Sequence, residues 1–122
     1  MNLHHAKGAT AVLCKRFTES KLDIDLIQEP WTNNSRILGI PTTLCKLFYD
    51  EGQLSPRAAI LVNARTNVVA ITEFIRRDIV AVMMEMPTTH GRPEIHVASA
   101  YFPGDLSDVP PPDVASRIYL KK

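Results

Sequence analysis

Asp23-Ile24-Asp25-Leu26-Ile27-Gln28-Glu29-Pro30-Trp31 is the stretch that decides how the rest of the chain is read. Ile24, Leu26 and Ile27 make a short apolar run, the pattern of a buried strand. Pro30 stops it, because proline has no N–H to donate to a ladder. Glu29 therefore stands at the carboxyl end of a strand. Ligands of sheet-based α/β proteins collect at such ends. A carboxylate there can hold a hard cation, since magnesium takes oxygen ligands and often only one or two carboxylates. By position alone, a solvated loop glutamate is the plainer assignment.

Immediately upstream, Ala6 to Leu22 reads as an amphipathic helix. Ala6, Ala9, Leu13 and Phe17 recur at steps of three and four, and Val12 widens the stripe. Downstream, Trp31 to Pro41 is loop-like, with Thr-Asn-Asn-Ser followed by Gly39 and Pro41. Lys46 to Tyr49 is a short strand. Arg57 to Asn63 is almost continuously apolar and predicts a strand buried on both faces. Val68 to Ile71 is a weaker strand, Asp78 to Met86 a stronger one. Pro87 to Pro93 forms a turn, and Glu94 to Tyr101 the last strand, closed by Phe102-Pro103-Gly104. Pro110-Pro111-Pro112 excludes helix and sheet interior, and Asp113 can cap a short helix from Val114. The order predicts a sheet with a helix on one face. A sheet buried on both faces needs two covering layers, and only one good helix is present.

Composition excludes several classes. Of 122 residues, 45% are hydrophobic and 22% charged, which is globular rather than disordered. No window approaches the roughly 18 uninterrupted apolar residues of a membrane span. Met1 to His5 lacks the basic and apolar regions of a secretory signal, so a nuclear or cytoplasmic location is expected. Cys14 and Cys45 have no partner at zinc-ligand spacing and read as reduced thiols. Adjacent His4 and His5 on a strand point to opposite faces and seldom share an ion. Fourteen basic against thirteen acidic residues, net +1, give no basic surplus for phosphate. Arg36, Lys46, Arg57, Arg65, Arg76 and Arg77 read mostly as solvated surface.

Two further residues carry chemistry. Tyr101 ends a strand within Ser99-Ala100-Tyr101-Phe102-Pro103, where its phenol can donate to a phosphate oxygen. Alone, it reads as a core-edge tyrosine with a wet hydroxyl. Asn2 precedes an apolar residue, and its amide can orient a carboxylate or phosphate. Taken in order, Asn-Leu-His-His, a helix, Asp-Leu-Ile-Gln-Glu-Pro-Trp and Ser-Ala-Tyr-Phe-Pro resemble the endonuclease/exonuclease/phosphatase superfamily. The closer resemblance is to the endonuclease domain of jockey-like insect non-LTR retrotransposons. It includes Ala6 to Ala11, Pro56 to Val62, Arg77 to Val82 and the Pro110 to Pro112 run, and extends over residues 2 to about 113.

The resemblance implies an α/β (α+β) fold: a partial four-layer sandwich, mostly antiparallel sheet with one main helix, truncated. Residues 1–122 would be the amino-terminal part of one such domain, with 110–122 an irregular tail. Asn2 would match the first-strand asparagine of the active site, Glu29 the metal-binding glutamate, and Tyr101 the tyrosine that contacts the scissile phosphate. Family members hydrolyse phosphodiesters with Mg2+ or Mn2+, expected here to bind weakly. In retrotransposons the nick in DNA leaves a 3′ hydroxyl that primes reverse transcription, so DNA is the expected partner of a full-length parent.

The family's later Gly-Asp-Phe-Asn and Ser-Asp-His motifs do not occur in this sequence. Gly104-Asp105-Leu106-Ser107 directly follows the Tyr101 strand and reads as a loop. None of His4, His5, His90 and His96 stands in Ser-Asp-His. Relatives outside retrotransposons often carry an acid where this chain has His4. The expectation is a nicking-endonuclease fragment that is inactive alone. A non-catalytic transposon relic and a partial phosphatase of the same superfamily are the alternatives. The resemblance implies a second sheet that comes largely from a later half, so Ala58 to Val62 and Ile79 to Met84 are expected to lack a cover on one face. Self-association through the uncovered sheet would follow.

Overall fold

The computed structural model describes residues 1–43, 45–85, 91 and 93–102. Helix α1 spans Lys7–Glu19. The strands are β1 (Ile24–Gln28), β2 (Thr32–Asn33), β3 (Arg36–Ile37), β4 (Cys45–Phe48), β5 (Ala58–Asn63), β6 (Val68–Ile75), β7 (Ile79–Glu85) and β8 (Glu94–Ala100). They form two antiparallel three-stranded sheets, β1-β5-β4 and β6-β7-β8, and a small β2-β3 ribbon. The fold is α/β, mostly antiparallel, with one helix among the described residues, as the sequence implies.

α1 forms because Thr10, Leu13 and Phe17 recur at helical spacing, and all three are buried. Leu13 and Phe17 pack with Leu3 of the opening segment, Ile27 of β1, and Ala59 and Leu61 of β5. The periodicity assigns Val12 to this stripe, but its side chain is 57% exposed. Thr10 takes the inward place instead. Its hydroxyl donates to the Ala6 carbonyl at 2.8 Å, which removes the penalty of burying it. The helix ends short of Leu22. Lys21 enters the left-handed region (φ 52), and Leu22 N reaches back to Phe17 O at 3.3 Å.

β5 is buried from Ala58 to Val62 because both of its faces are covered. Ala59 and Leu61 face the helix, while Ala58, Ile60 and Val62 meet Val80 and Val82 of β7. This corrects the expectation that Ala58 to Val62 lacks a cover. The second sheet is built within residues 68–100, so helix, sheet and sheet are stacked here. Each large aliphatic side chain so enclosed contributes about 1.5–3 kcal/mol.

Among the described residues, the open side is the outer face of β6-β7-β8. Val69, Met83 and His96 are register partners across it, and Val69 is 61% exposed. Phe74 covers the remainder, packing on Ile79 and Ala81 at 3% exposure. It does so because β6 is irregular: Ala70 pairs with Val82 but Ile75 with Val80, leaving residues 71–74 to bulge. β6 therefore runs past Ile71, where the apolar pattern breaks at Thr72 and Glu73. Within the expected loop Trp31 to Pro41, Thr32–Ile37 and Asn33–Arg36 pair as the ribbon, turned by Asn34 at φ 57. Gly39 has φ 80, and a Cβ there would stand 3.1 Å from Thr10 and Trp31.

Some expectations lie outside the described residues: most of the Pro87 to Pro93 turn, the Gly104 to Ser107 loop, Pro110 to Pro112, and the helix from Val114. Among the described residues no helix is long and apolar enough to cross a membrane.

Candidate active site

Residues 1–3 run beside the carboxyl half of β1. Gln28 N donates to Met1 O and Leu3 N to Gln28 O, each at 2.9 Å, so Asn2 is bridged in parallel to Gln28. Leu3, fully buried, fixes this segment to the core. The chain then reverses at His4 and His5, with φ 50 and 57, closed by Ala6 N to Leu3 O at 2.9 Å. Turns with two positive-φ central residues are dominated by Asn, Asp and Gly. The Asn2 side chain helps to hold this one: its Oδ1 accepts from His4 N at 2.9 Å. The two histidines are thus in a turn and not on a strand. Each ring has its own neighbour. His4 Nδ1 lies 3.4 Å from Glu29 Oε2, and His5 Nδ1 lies 3.1 Å from Pro30 O.

Glu29 follows the last residue of β1 and is clamped by its backbone on both sides. Its N–H donates to Arg57 O and its carbonyl accepts from His5 N, each at 2.9 Å. It is held at φ 49, in the left-handed region that costs an L-residue roughly 1–2 kcal/mol. Pro30 makes the position more demanding, because proline disfavours the α regions for the residue before it. The result is a carboxylate turned out at the strand end, 19% exposed.

Tyr101 follows β8, with its N–H donating to Asp78 O at 2.8 Å. Coupling to the Glu29 carboxylate, then desolvation, hold its phenol above the ordinary value near 10, against a lowering by Arg57. Arg57, just before β5, lies over the Tyr101 ring at 4.7 Å from the centroid. Asp78, just before β7, receives Arg57 Nε and Nη2 at 2.6 Å each, a two-pronged ion pair. The backbone repeats the link, with Arg57 N and Ala58 N donating to Arg77 O at 2.8 and 3.1 Å. Deeper in, buried Ser99 of β8 donates to Ile27 O at 2.7 Å and accepts from Gln28 Nε2 at 3.0 Å. The two sheets are thereby tied together behind the rim.

Of the residues singled out in the sequence, Glu29 and Tyr101 both adjoin Arg57, Glu29 at its main chain and Tyr101 beneath its guanidinium. Asn2 joins them through the turn, its amide oxygen engaged by His4 N. His4, Arg57 and Asp78 complete the group. Arg57 reads in sequence as one of several solvated cations, and the others are scattered. Lys46 Nζ, for instance, reaches Thr66 O, and Arg77 Nε reaches Ser55 O. Arg57 and Asp78 each stand just before a buried strand, but in different sheets, so nothing in the sequence pairs them. Glu29 is a hard oxygen donor, and a lone carboxylate is only part of a site for a cation that keeps several waters. Among the described residues no cluster of three or more His, Cys, Asp or Glu is placed to hold a metal. Cys14 and Cys45 are free thiols.

No protein-family model matches the chain, and no curated protein matches it. Among solved structures it is similar to the endonuclease domain of TRAS1, a telomere-specific non-LTR retrotransposon. The TM-score is 0.66 and the identity 25%, covering 99% of this chain and 49% of that one. The chain spans about half the length of the structure it matches. The likeness supports part of an endonuclease-like domain.

Proposed function

We propose that this chain supplies one wall of a divalent-metal-dependent phosphodiester-cleaving site, of the kind that nicks DNA for a non-LTR retrotransposon, within the endonuclease/exonuclease/phosphatase superfamily. The observation that carries the reading is the meeting of Glu29 and Tyr101 at Arg57. Residues from distant parts of the chain meet at one strand-end rim, with Asn2 beside them, in a fold similar to a retrotransposon endonuclease domain. The strained backbone of Glu29 adds support, because such strain collects at functional sites.

Each side chain has a role in this reading. Glu29 would hold Mg2+ or Mn2+, weakly, as a single carboxylate. A bound cation supplies polarisation of the phosphate and stabilisation of the leaving oxygen. With Glu29 taken up by the cation, the Tyr101 phenol is free to donate to a non-bridging phosphate oxygen. Asn2 keeps the His4 turn, and so the Glu29 carboxylate, in place. General acid–base help, worth about a hundred- to ten-thousandfold, belongs to motifs that the sequence does not contain.

The chain alone is therefore expected to leave supercoiled plasmid intact in Mg2+. Mn2+ binding, followed by water-proton relaxation, is expected to be weak and to vanish in Glu29→Ala. Nicking by the wild-type chain that Glu29→Ala abolishes would show that the chain suffices. Mn2+ binding indifferent to Glu29→Ala would remove the metal role.

A further inference from the structure

We propose that Arg57 and Asp78 form a positioning device that holds the Tyr101 ring in place beside Glu29. What the held phenol then does rests on the function proposed above, but the positioning itself does not. Three observations converge. The Asp78 carboxylate grips the Arg57 guanidinium in two bonds of 2.6 Å, fixing its plane. That plane lies over the Tyr101 ring, 4.7 Å from its centroid. The Asp78 carbonyl also takes the Tyr101 N–H at 2.8 Å. One aspartate thus fixes the tyrosine backbone directly and the tyrosine ring through the arginine.

The arrangement is not an ordinary surface ion pair. Exposed Lys or Arg pairs carry little because both chains must be ordered for the purpose. Here the ordering is shared with backbone. Arg57 N donates to Arg77 O, and Arg57 O accepts from Glu29 N. Arg57 therefore touches the two sides of the rim at once, Glu29 by its main chain and Tyr101 by its side chain. A phenol that must meet a phosphate oxygen gains from being set in advance, since preorganised donors cost no reorganisation when charge develops. A lysine could keep the charge but not the flat fork that stacks and bonds together.

The test uses the 122-residue chain carrying 3-fluorotyrosine. The Tyr101 fluorine resonance is assigned by its loss in Tyr101→Phe. In Arg57→Gln and in Asp78→Asn it should move toward the free amino acid value. The double variant should move it no further than either single change, because the two residues act as one unit. Arg57→Lys should fall between. Circular dichroism melts establish that each variant is folded, and if Arg57→Gln is not, Asp78→Asn and Arg57→Lys carry the test. In parallel, fluorescence anisotropy with a short duplex in Mn2+ should show binding weakened about tenfold by Arg57→Gln. A Tyr101 resonance unmoved in folded variants overturns the proposal. A moved resonance in a chain that binds no duplex leaves the positioning standing and removes the functional reading. Duplex binding that needs Glu29 and Tyr101 but ignores Arg57 and Asp78 does the reverse.

Discussion

Glu29 shows how far one residue can be read from sequence. Its place at a strand end was legible because Pro30 marks the boundary, but the left-handed backbone at φ 49 was not. No local rule puts a glutamate before proline in that conformation. The surrounding structure imposes it, through Arg57 O and His5 N. Removing the side chain separates its two effects. Glu29→Gly should be more stable than Glu29→Ala by about 1 kcal/mol, since alanine keeps the strain and glycine does not. Urea unfolding of the two variants checks this. Tyr101 gives a pH prediction. Its phenol is raised above 10 chiefly by coupling to Glu29, so the folded state binds that proton more tightly than the unfolded chain. The stabilisation is then complete below pH 10 and is lost as the pH rises through the folded value. Glu29→Gln should lower the midpoint of tyrosinate absorbance assigned to Tyr101, because a charged carboxylate is replaced by a neutral amide.

Among the elements, the helix, β1, β5, β7 and β8 were legible because their apolar runs and boundary residues agree. The β2-β3 ribbon was hidden by its polar residues, Thr32, Asn33 and Arg36, which pair through backbone alone. The extent of β6 was hidden because a bulge interrupts the alternation on which strand reading depends. Pairing between elements was not legible at all, and it is what assembles the site. Ser99 illustrates this: in sequence a small residue within a strand, in the fold a buried hydroxyl joining β8 to β1. Ser99→Ala should cost about 1–3 kcal/mol in urea unfolding, because it removes the partner of buried polar groups. It should also loosen the tie between the Glu29 and Tyr101 strands. Leu3 was read only as the neighbour of Asn2, yet its burial is what sets that asparagine beside Gln28.

For the molecule as a whole, the expectation of an uncovered β5 fails, and the exposed apolar surface moves to the outer face of the second sheet. Self-association, if it follows the apolar surface, should run through Val69 and Met83. Sedimentation velocity should show concentration-dependent association that Val69→Glu reduces, and indifference to that change would exclude this face. The bulge of β6 bears on what kind of assembly can result. A strand recruits another copy by offering a regular row of main-chain donors and acceptors, and β6 offers that row only on either side of residues 71–74. With Phe74 folded back over the sheet, the flank is sticky but the seam along β6 is broken. Association through the β6 edge should therefore give shapeless, thioflavin-silent clumps and not ordered cross-β thread.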